Sequence, residues 1–525
     1  MESLDHDAGS MRGTKRKYSE DQAKLTGACN QPDTIQDDYQ TPDALVQHRD
    51  DSYYQRLYDV EPDFRQLAQQ DPDFGAVLKR GSLLDFNDPV SVMQLTKTLL
   101  KLDFGIQVDL PMDRLCPPVP NRHNYILWLK ALLDSSAPSY SDRYDPTRRV
   151  KGLDIGTGAS LIYPLLGCAQ RPWSFIATDV DPKSLSYARK NAELNSYQTR
   201  IRIVDRGITD LLVPLDELGE DTIDFVMVNP PFYACEVELQ DLARQKLRPP
   251  NSACTGAPVE MVCEGGEVGF VKRIIDESLV LRERVQWYTS MLGKQSSLDA
   301  LVDTLKKNEI TNYAVAAFIQ GNRTRRWAVG WSFSSLRPAM SASRSAAPSI
   351  TKKIQPYPTE MTIATAPASN KYVEQLSAAI CNSLAAFDLV SWHWSEQRLR
   401  GVGFTDGNVW SRAYRRRKIR EQRDMSSTKE TAPNQPYIQP TRSTKKGQCT
   451  TSFAFGFAIT INLDNDANEA YQKATVVLRW LQGNDYSLFE SFAGVLRNIV
   501  RVGNPEKDFT HTTTSTFTGK ANMQE

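Results

Sequence analysis

Apolar side chains recur along this chain with two different spacings, and the change comes at about residue 148. Between residues 51 and 147, the segments Val92–Leu102 and Asn124–Leu133 place apolar residues every three or four positions, between Asp-Pro and Pro-Pro breakers. That spacing is typical of helices that bury one face. The pattern therefore predicts a helical module over residues 51–147.

Short apolar runs of the β type alternate with helix-like stretches from residue 148 to residue 335. The runs are Val150–Ile155, Trp173–Thr178, Ile201–Val204, Ile223–Val228, Val285–Leu292, Tyr313–Ile319 and Arg326–Phe333. Because strands that alternate with helices form βαβ units, we expect a mainly parallel, seven-stranded sheet with helices on both faces. The predicted fold class of this segment is α/β.

A second folded unit is predicted at about residues 357–503, after a Ser-, Ala- and Pro-rich linker at residues 336–356. Its strand-like runs are Met361–Thr365 and Thr451–Ile461, and its helix-like runs are Lys371–Ala386 and Ser487–Val502. The unit therefore contains both element types.

Three polar segments are predicted to be disordered, because they contain too few apolar residues to offset the entropy of ordering. They are residues 1–50, an insertion at 424–448 and a Thr-rich tail at 504–525. The first carries the basic cluster Lys15-Arg16-Lys17. Such a cluster indicates a nuclear localisation signal, an arm that contacts phosphates, or an ordinary solvated charge run.

Composition excludes some classes of protein. The 525 residues carry 63 Lys and Arg against 63 Asp and Glu, which argues against a uniformly basic coat but leaves local patches open. Eight scattered cysteines without a CxxC pair, and only five histidines, speak against a zinc site or a disulfide framework and for a reducing compartment. The N-terminus lacks the basic and then apolar pattern of a signal peptide, and no apolar run approaches the ~18–20 residues that span a bilayer. We therefore expect a soluble intracellular protein.

The glycine loop Leu153–Ser160, which reads LDIGTGAS, follows the first predicted strand and precedes a helix. Glycines at such a turn let a ligand approach the backbone, and free amides at the helix start offer polar contacts. The next strand ends at Asp179, where a carboxylate can take the two hydroxyls of a ribose. Asp154 lies near the end of the first predicted strand, and its carboxylate is suited to a nucleoside that carries a cationic amino-acid tail. The motif therefore predicts an S-adenosylmethionine site.

The tetrapeptide Asn229-Pro230-Pro231-Phe232 follows the fourth predicted strand, at the end that faces the ligand crevice of an open α/β sheet. Two prolines stiffen the loop and leave their carbonyls as acceptors. If the Asn229 side-chain oxygen and the Pro230 carbonyl each accept one N–H of a conjugated amine, the nitrogen lone pair turns toward the methyl donor. Phe232 is expected to stack on a flat substrate. Such motifs serve both adenine-N6 and glutamine-N5 methyltransferases, so the motif alone leaves nucleic-acid and protein substrates open.

Several blocks in a fixed order resemble one known family, the methyltransferase-like protein 16 group of U6 small nuclear RNA adenosine-N6 methyltransferases. The blocks are Pro62–Phe64, Asp103–Gly105, Val119–Ile126 with Trp128, the glycine loop continuing into Ile162–Gly167, the NPPF tetrapeptide, Glu264–Glu267 with Phe270–Ile275, Trp287-Tyr288 with Met291–Lys294, and Gln320-Gly321 with Thr324, Arg326-Trp327 and Trp331–Phe333. Together they cover about residues 55–335.

This resemblance implies a class I, Rossmann-like methyltransferase domain at residues 148–335 that uses S-adenosylmethionine. Carried over position by position, the family's cofactor contacts fall on Arg122, Gly156, Ser160, Asp179, Thr209 and Asn229, beside the loop residues Asp154 and Gly158. The catalytic motif falls on Asn229, Pro230, Pro231 and Phe232. The family has Glu where this chain has Asp179, and a carboxylate one methylene shorter still reaches a ribose hydroxyl.

Basic residues near the predicted pocket and in the second unit fit an RNA partner. Near the pocket they are Arg248, Arg323, Arg325 and Arg326. Between Arg398 and Arg423, nine basic residues stand against two acids, and the run contains Arg415, Arg416 and Arg417. The aromatic residues Trp392, Trp394, Trp410 and Tyr414, in or just before this run, are expected to offer stacking surfaces. The run resembles the family's vertebrate-conserved-region domain, and this resemblance implies a small α+β RNA-binding unit. The alternative interpretation of its arginines is a nuclear localisation signal on a solvated helix.

The leading hypothesis is therefore an RNA adenosine-N6 methyltransferase, with U6 small nuclear RNA as the expected substrate, the nucleus as the expected location, and no membrane or metal partner. A protein glutamine-N5 methyltransferase is one alternative, and the basic residues speak against it. An RNA-binding splicing factor with secondary methylation activity is the other. The net charge is zero because acidic and basic segments of the chain offset each other. Residues 1–50 hold ten acids against six bases, whereas the C-terminal run is basic.

Overall fold

The computed structural model describes residues 49–234, 256–320, 324–428, 453–464 and 472–502, all within one unit of the chain, Arg49–Glu525. The predictions for residues 1–48, for the remainder of the insertion at 429–448 and for the tail at 504–525 lie outside the described residues.

Five helices precede the first strand. They are α1 (Asp51–Arg56), α2 (Phe64–Gln70), α3 (Pro72–Val77), α4 (Pro89–Phe104) and α5 (Val119–Ser135). Short acidic side chains cap the starts of α1 and α4: Asp50, at the end of a segment predicted to be disordered, accepts from the Tyr53 amide, and Asp88 accepts from the Ser91 amide. Both apolar segments predicted to be helical lie within α4 and α5.

A seven-stranded sheet follows, with its helices. The strands are β1 (Lys151–Ile155), β2 (Ser174–Asp179), β3 (Ile201–Asp205), β4 (Ile223–Val228), β5 (Val285–Leu292), β6 (Tyr313–Gln320) and β7 (Thr324–Trp331); the helices are α6 (Ile162–Gln170), α7 (Pro182–Leu194), α8 (Leu215–Leu218), α9 (Pro258–Met261), α10 (Gly266–Leu281) and α11 (Gln295–Lys307), with a 3-10 turn at Arg282–Arg284. The strand order is β3-β2-β1-β4-β5-β7-β6. The first five strands are parallel, whereas β7 runs antiparallel to both β5 and β6. The predicted α/β class and mainly parallel sheet are confirmed.

Alternate residues of the sheet enter two cores, one on each face. On β4, Phe225 and Met227 belong to the core that contains α4, α5 and α6, while Val226 and Val228 belong to the core that contains α10 and α11. All four side chains are at most 1% exposed. Because successive strand residues point to opposite faces, a sheet covered on both sides requires continuous apolar runs. This requirement explains why these strands were predictable.

The second unit is a five-stranded antiparallel sheet of order β8-β12-β11-β10-β9. Its elements are β8 (Glu360–Ala368), α13 (Asn370–Ala385), β9 (Ser391–Ser395), a 3-10 turn at Glu396–Arg398, β10 (Arg400–Thr405), α14 (Arg412–Thr428), β11 (Phe455–Asp464), β12 (Gln472–Gln482) and α15 (Tyr486–Val502). α13 and α15 pack on its apolar core. The sequence predicts a disordered insertion at residues 424–448. The structure differs at its start, because α14 continues to Thr428 and residues 424–428 are helical.

Residues 336–356, predicted to be a linker, pack against their surroundings. They contain the short helix α12 (Met340–Ser343), and Ile350 and Ile354 are buried in the core of the first sheet. Arg337 is 3% exposed; it donates to the Gly483 carbonyl and its guanidinium lies 4.3 Å from the Trp480 ring centroid. The segment predicted to be a linker is therefore a connection that packs against its surroundings.

Arg479 shows why β12 lies outside the predicted runs. This arginine interrupts the apolar pattern of the strand, but it is 6% exposed and donates to the carbonyls of Ser135 and Arg337. Its guanidinium also lies 3.5 Å from carboxylate oxygens of Asp142 and Glu360. This buried arginine links the second sheet to α5 and to residues 336–356, and local pattern alone does not distinguish it from a surface residue.

Candidate active site

The glycine loop after β1 depends on two residues with positive φ. Gly156 and Gly158 have φ angles of +69° and +66°, which other residues rarely adopt. The amides of Gly156 and Thr157 both donate to the Thr178 carbonyl at 2.9 Å, which fastens the loop to β2. The loop therefore presents its backbone beyond the carboxyl ends of the strands.

A cavity of about 790 Å³ opens at the carboxyl ends of β1, β2 and β4, against the glycine loop. The predicted site residues that line it are Arg122, Gly156, Gly158, Ser160, Asp179, Thr209, Asn229 and Pro231. Its size is that of pockets that enclose small organic molecules. The fold thus brings together residues from widely separated parts of the chain.

Asp179, the last residue of β2, holds its carboxylate at the wall of this cavity. Oδ2 accepts from the Gly158 amide at 2.8 Å, and Oδ1 accepts from the amides of Val180 and Asp181 at 2.8 and 3.0 Å. Burial raises the pKa of Asp179, although these three hydrogen bonds oppose the shift. The carboxylate is therefore held in one orientation beside the loop.

Asp154, predicted as a cofactor contact, lies elsewhere. It is fully buried in β1 and is not among the residues that line the cavity. One oxygen accepts from the Thr157 hydroxyl at 2.7 Å, and the other has no hydrogen-bond partner. Burial raises its pKa to about 7. Asp154 thus holds the glycine loop from beneath instead of meeting a ligand on the cavity wall.

Arg122 brings a buried positive charge from α5 to the cavity. It is 6% exposed, donates to the Tyr163 hydroxyl at 2.7 Å and to the Met291 sulfur at 3.3 Å, and leaves Nε without a partner. It forms no ion pair with a carboxylate in the parts of the chain that the structure covers. Its charge lowers the pKa of the buried Asp154 carboxylate, but the two groups do not pair directly. A buried cation that lacks a directly paired carboxylate is costly. The cavity is therefore arranged to receive an anionic group at this position.

The NPPF tetrapeptide lies directly after β4. The Asn229 Oδ1 atom is buried and has no hydrogen-bond partner, and Pro230 is buried. The Phe232 ring is half-buried: a Cβ placed on Gly293 would lie 2.9 Å from it, and the Arg326 guanidinium lies 5.8 Å from its centroid. An unsatisfied buried acceptor costs about 1–3 kcal/mol. A free acceptor next to an aromatic ring is arranged to bind a flat molecule that carries an N–H.

Three side chains of the site have no role in the sequence-based prediction. Tyr163 accepts from Arg122, and burial raises its pKa to about 12. Glu267 accepts from the amide of Gly293 at 2.6 Å and thereby fixes the backbone behind Phe232. Glu260 lines the cavity itself. Both glutamates accept from backbone groups distant in sequence, Leu115 for Glu260 and Gly293 for Glu267, and no local spacing reveals these contacts.

For the methyl transfer predicted from the sequence, Gly293→Ala is expected to lower kcat about 10- to 100-fold, because the new methyl group displaces the Phe232 ring and positioning errors of under 1 Å are costly. Donor affinity should change less than twofold. The check is single-turnover kinetics together with calorimetry. Gly494→Ala on α15, where a Cβ meets nothing within 4 Å, is the matched control. An unchanged kcat in Gly293→Ala would show that the ring position is unimportant.

The residues predicted to contact RNA are found in different environments. Lys15, Arg16, Lys17, Arg248 and Arg323 lie outside the described residues. Arg325 is exposed on β7, whereas Arg326 is half-buried, and burial together with the nearby Arg122 charge lowers its pKa. Arg415, Arg416 and Arg417 are exposed on α14. Only Arg326 of the described set therefore stands at the NPPF tetrapeptide.

The aromatic residues in and before the basic run differ in exposure: Trp410 is buried, whereas Trp392, Trp394 and Tyr414 are half-buried. Trp410 is 5% exposed and donates to the Ser491 hydroxyl at 3.0 Å. Trp392 and Trp394 pack against the core of the second sheet, and the Tyr414 hydroxyl donates to Asp388. Large aromatic rings near a sheet gain more by burial than by exposure. Trp410 is therefore closed to stacking, while a stacking role for Trp392, Trp394 and Tyr414 stays a prediction.

Other features of the described residues add to this picture. No group of three or more His, Cys, Asp or Glu side chains among them is arranged to hold a metal ion. None of their helices combines the length and the apolar character needed to cross a membrane. Cys168, Cys263 and Cys381 carry free thiols.

The chain resembles several known proteins over its first half. It is 45% identical over 285 residues to the RNA N(6)-adenosine-methyltransferase mettl16 of Xenopus laevis, covering 53% of this chain and 51% of the relative. It is 42% identical over 269 residues to the U6 small nuclear RNA (adenine-(43)-N(6))-methyltransferase of Schizosaccharomyces pombe, covering 51% of this chain and 67% of the relative. The chain spans about half the length of most of the curated relatives it matches.

Solved structures and a family model match the same region. The hMettl16 catalytic domain in complex with MAT2A 3'UTR hairpin 1 is 43% identical, with a TM-score of 0.47 and coverage of 52% of this chain and 92% of that chain. The N-terminal domain of human METTL16 in complex with SAH is 40% identical, with a TM-score of 0.44 and coverage of 53% and 96%. A family model described as RNA methyltransferase matches residues 44–335, more than half of the chain, including the glycine loop and the NPPF tetrapeptide. This chain therefore belongs to that RNA methyltransferase family.

Proposed function

We propose that this protein transfers a methyl group from S-adenosylmethionine to the N6 atom of an adenosine in RNA, with U6 small nuclear RNA as the substrate. One observation carries the proposal: the buried Asn229 Oδ1 atom has no partner, and Asn229 lies on the wall of the cavity formed with the glycine loop. The name of the Xenopus laevis relative, an RNA N(6)-adenosine-methyltransferase, and that of the Schizosaccharomyces pombe relative, a U6 small nuclear RNA methyltransferase, support it.

The cavity residues fit S-adenosylmethionine. Arg122, buried without a carboxylate partner, would pair with the amino-acid carboxylate of the donor. Asp179 would accept a ribose hydroxyl, and the glycine loop leaves room for the ligand to approach the backbone. When bound, the donor supplies an electrophilic methyl group on a sulfonium.

The NPPF residues would prepare the amino group of the target adenine. The lone pair of this amino group is delocalised into the adenine ring, so the amino nitrogen is a poor nucleophile. Asn229 Oδ1 and the Pro230 carbonyl each accept one N–H, which draws the nitrogen toward sp³ geometry and frees the lone pair from conjugation. Phe232 stacks on the flat base after it leaves its own stack. These residues lower the barrier by positioning and electrostatic fit.

The test is to incubate the protein with labelled S-adenosylmethionine and U6 small nuclear RNA and to map the modified nucleosides. We expect N6-methyladenosine at one position, and no label in the same RNA when that adenosine is replaced by guanosine. Incorporation that resists ribonuclease and resides in protein as N5-methylglutamine would contradict the proposal. It would identify the protein as a glutamine methyltransferase, because that reaction also needs two acceptors at Asn229 and Pro230.

A further inference from the structure

Glu260 brings a second carboxylate to the cavity, and the mechanism above gives it no task. It lies on α9 and lines the same cavity as Asp179. Its Oε2 atom accepts from the Leu115 amide at 3.0 Å and from the Ala257 amide at 2.8 Å. Two backbone amides, one of them 145 residues away in sequence, thus hold this carboxylate in one orientation.

The other oxygen of Glu260, Oε1, is directed at the glycine loop. A Cβ placed on Gly158 would lie 3.8 Å from Oε1, which is ordinary contact distance. Both hydrogen bonds of the carboxylate go to Oε2, so Oε1 accepts none from the residues that the structure covers. Burial raises the pKa of Glu260, although the two amide hydrogen bonds and the Arg114 charge oppose the shift. The charge of Asp179 makes a smaller contribution that raises the pKa.

A count of acceptor sites distinguishes the two carboxylates. Each carboxylate oxygen offers about two lone-pair sites. Asp179 already accepts two amides at Oδ1 and one at Oδ2, so one site remains for a ligand. Glu260 keeps both sites of Oε1. A ribose presents two neighbouring hydroxyls, and Asp179 by itself has room for only one of them.

We propose that Glu260 is a second ribose-binding residue: its Oε1 atom accepts one hydroxyl of the methyl donor's ribose, while Asp179 Oδ2 accepts the other. The inference rests on the proposed use of S-adenosylmethionine and names a further specificity determinant of the same site. The other hydrogen-bond donors of that ligand are the ammonium of its amino-acid tail and the N6 amino group of its adenine. The experiment therefore has to separate the hydroxyls from both of these groups.

Glu260→Gln is the central variant. A glutamine keeps the hydrogen bonds to Leu115 and Ala257 through its carbonyl oxygen and places an NH₂ donor where Oε1 stands. We expect S-adenosylhomocysteine, measured by calorimetry, to bind about 10- to 100-fold more weakly, the range of a hydrogen bond to a charged group. Glu193→Gln, an exposed glutamate on α7, makes the same charge change away from the cavity and should alter Kd less than twofold. Thermal unfolding of the ligand-free variants checks that each is folded.

Two further ligands decide which group Glu260 binds. 5′-Methylthioadenosine keeps the ribose but lacks the amino-acid tail, and Glu260→Gln should weaken its binding by the same factor. S-Adenosylhomocysteine without the 2′ and 3′ hydroxyls should bind the wild-type protein and Glu260→Gln equally. If 5′-methylthioadenosine binds both proteins equally, or if the hydroxyl-free ligand still discriminates between them, the ribose assignment is wrong.

A wild-type protein that does not bind S-adenosylhomocysteine would instead contradict the proposed function, so the two failures are distinguishable. Should Glu260→Gln not fold, the wild-type protein alone still decides: removal of each hydroxyl in turn must weaken binding separately.

Discussion

Replacing Asn229 with alanine is expected to lower kcat for RNA methylation about 10³-fold, or about 4 kcal/mol in the barrier, which is the upper range for the loss of one oriented polar group. The reason is that the amino nitrogen loses the acceptor that frees its lone pair. Because Asn229 Oδ1 is buried without a partner, its removal should leave the midpoint of thermal unfolding unchanged or slightly raised. Single-turnover kinetics and a thermal melt measure both effects.

Two variants accompany this measurement. Asn229→Asp keeps an oxygen acceptor in the same place and should retain more activity than the alanine variant. Asn308→Ala, an exposed asparagine after α11, removes the same amide group far from the cavity and should leave kcat unchanged. If Asn229→Ala transfers the methyl group at the wild-type rate, the acceptor mechanism has to be abandoned.

The second large effect is expected at Arg122, where function and stability should change in opposite directions. Arg122→Met removes a buried cation but keeps an extended side chain. The Kd for S-adenosylhomocysteine should rise about 100-fold, because a charge-assisted pair with the ligand carboxylate is lost. The free energy of unfolding of the ligand-free protein should stay constant or increase, since the cation has no carboxylate partner to stabilise it.

Calorimetry and denaturant unfolding of the ligand-free protein test this prediction together. Arg189→Met, on the exposed side of α7, provides the matched control and should affect neither quantity. Arg122→Lys keeps the charge and should recover part of the affinity. A Met variant that unfolds more easily and binds the ligand normally would make Arg122 a structural residue only.

The first sheet was predictable because its strands are covered on both faces. Successive residues of the central strands enter two different cores, as Phe225 and Val226 do, so these strands are continuous apolar runs that need no information from elsewhere in the chain. The second sheet was predicted less completely. Its strand β12 carries Arg479 in the interior, and its strand β10 carries glycines beneath the rings of Trp392 and Phe457. These residues fit the sheet only through neighbours that the sequence does not identify.

The amino-acid sequence by itself determined the α/β class, the glycine loop, the NPPF tetrapeptide and the resemblance to an RNA methyltransferase family. All of these depend on residues that are adjacent in the chain or that recur with the period of a helix or strand. The tertiary structure alone decided that Arg122 is buried without a carboxylate, that Asp154 lies beneath the loop, that Trp410 belongs to a core and that Glu260 turns a free oxygen toward Gly158. Burial and pairing are set by residues far away in the sequence, such as Leu115 for Glu260. A local pattern therefore names the candidate groups, and only the fold determines which of them have a partner.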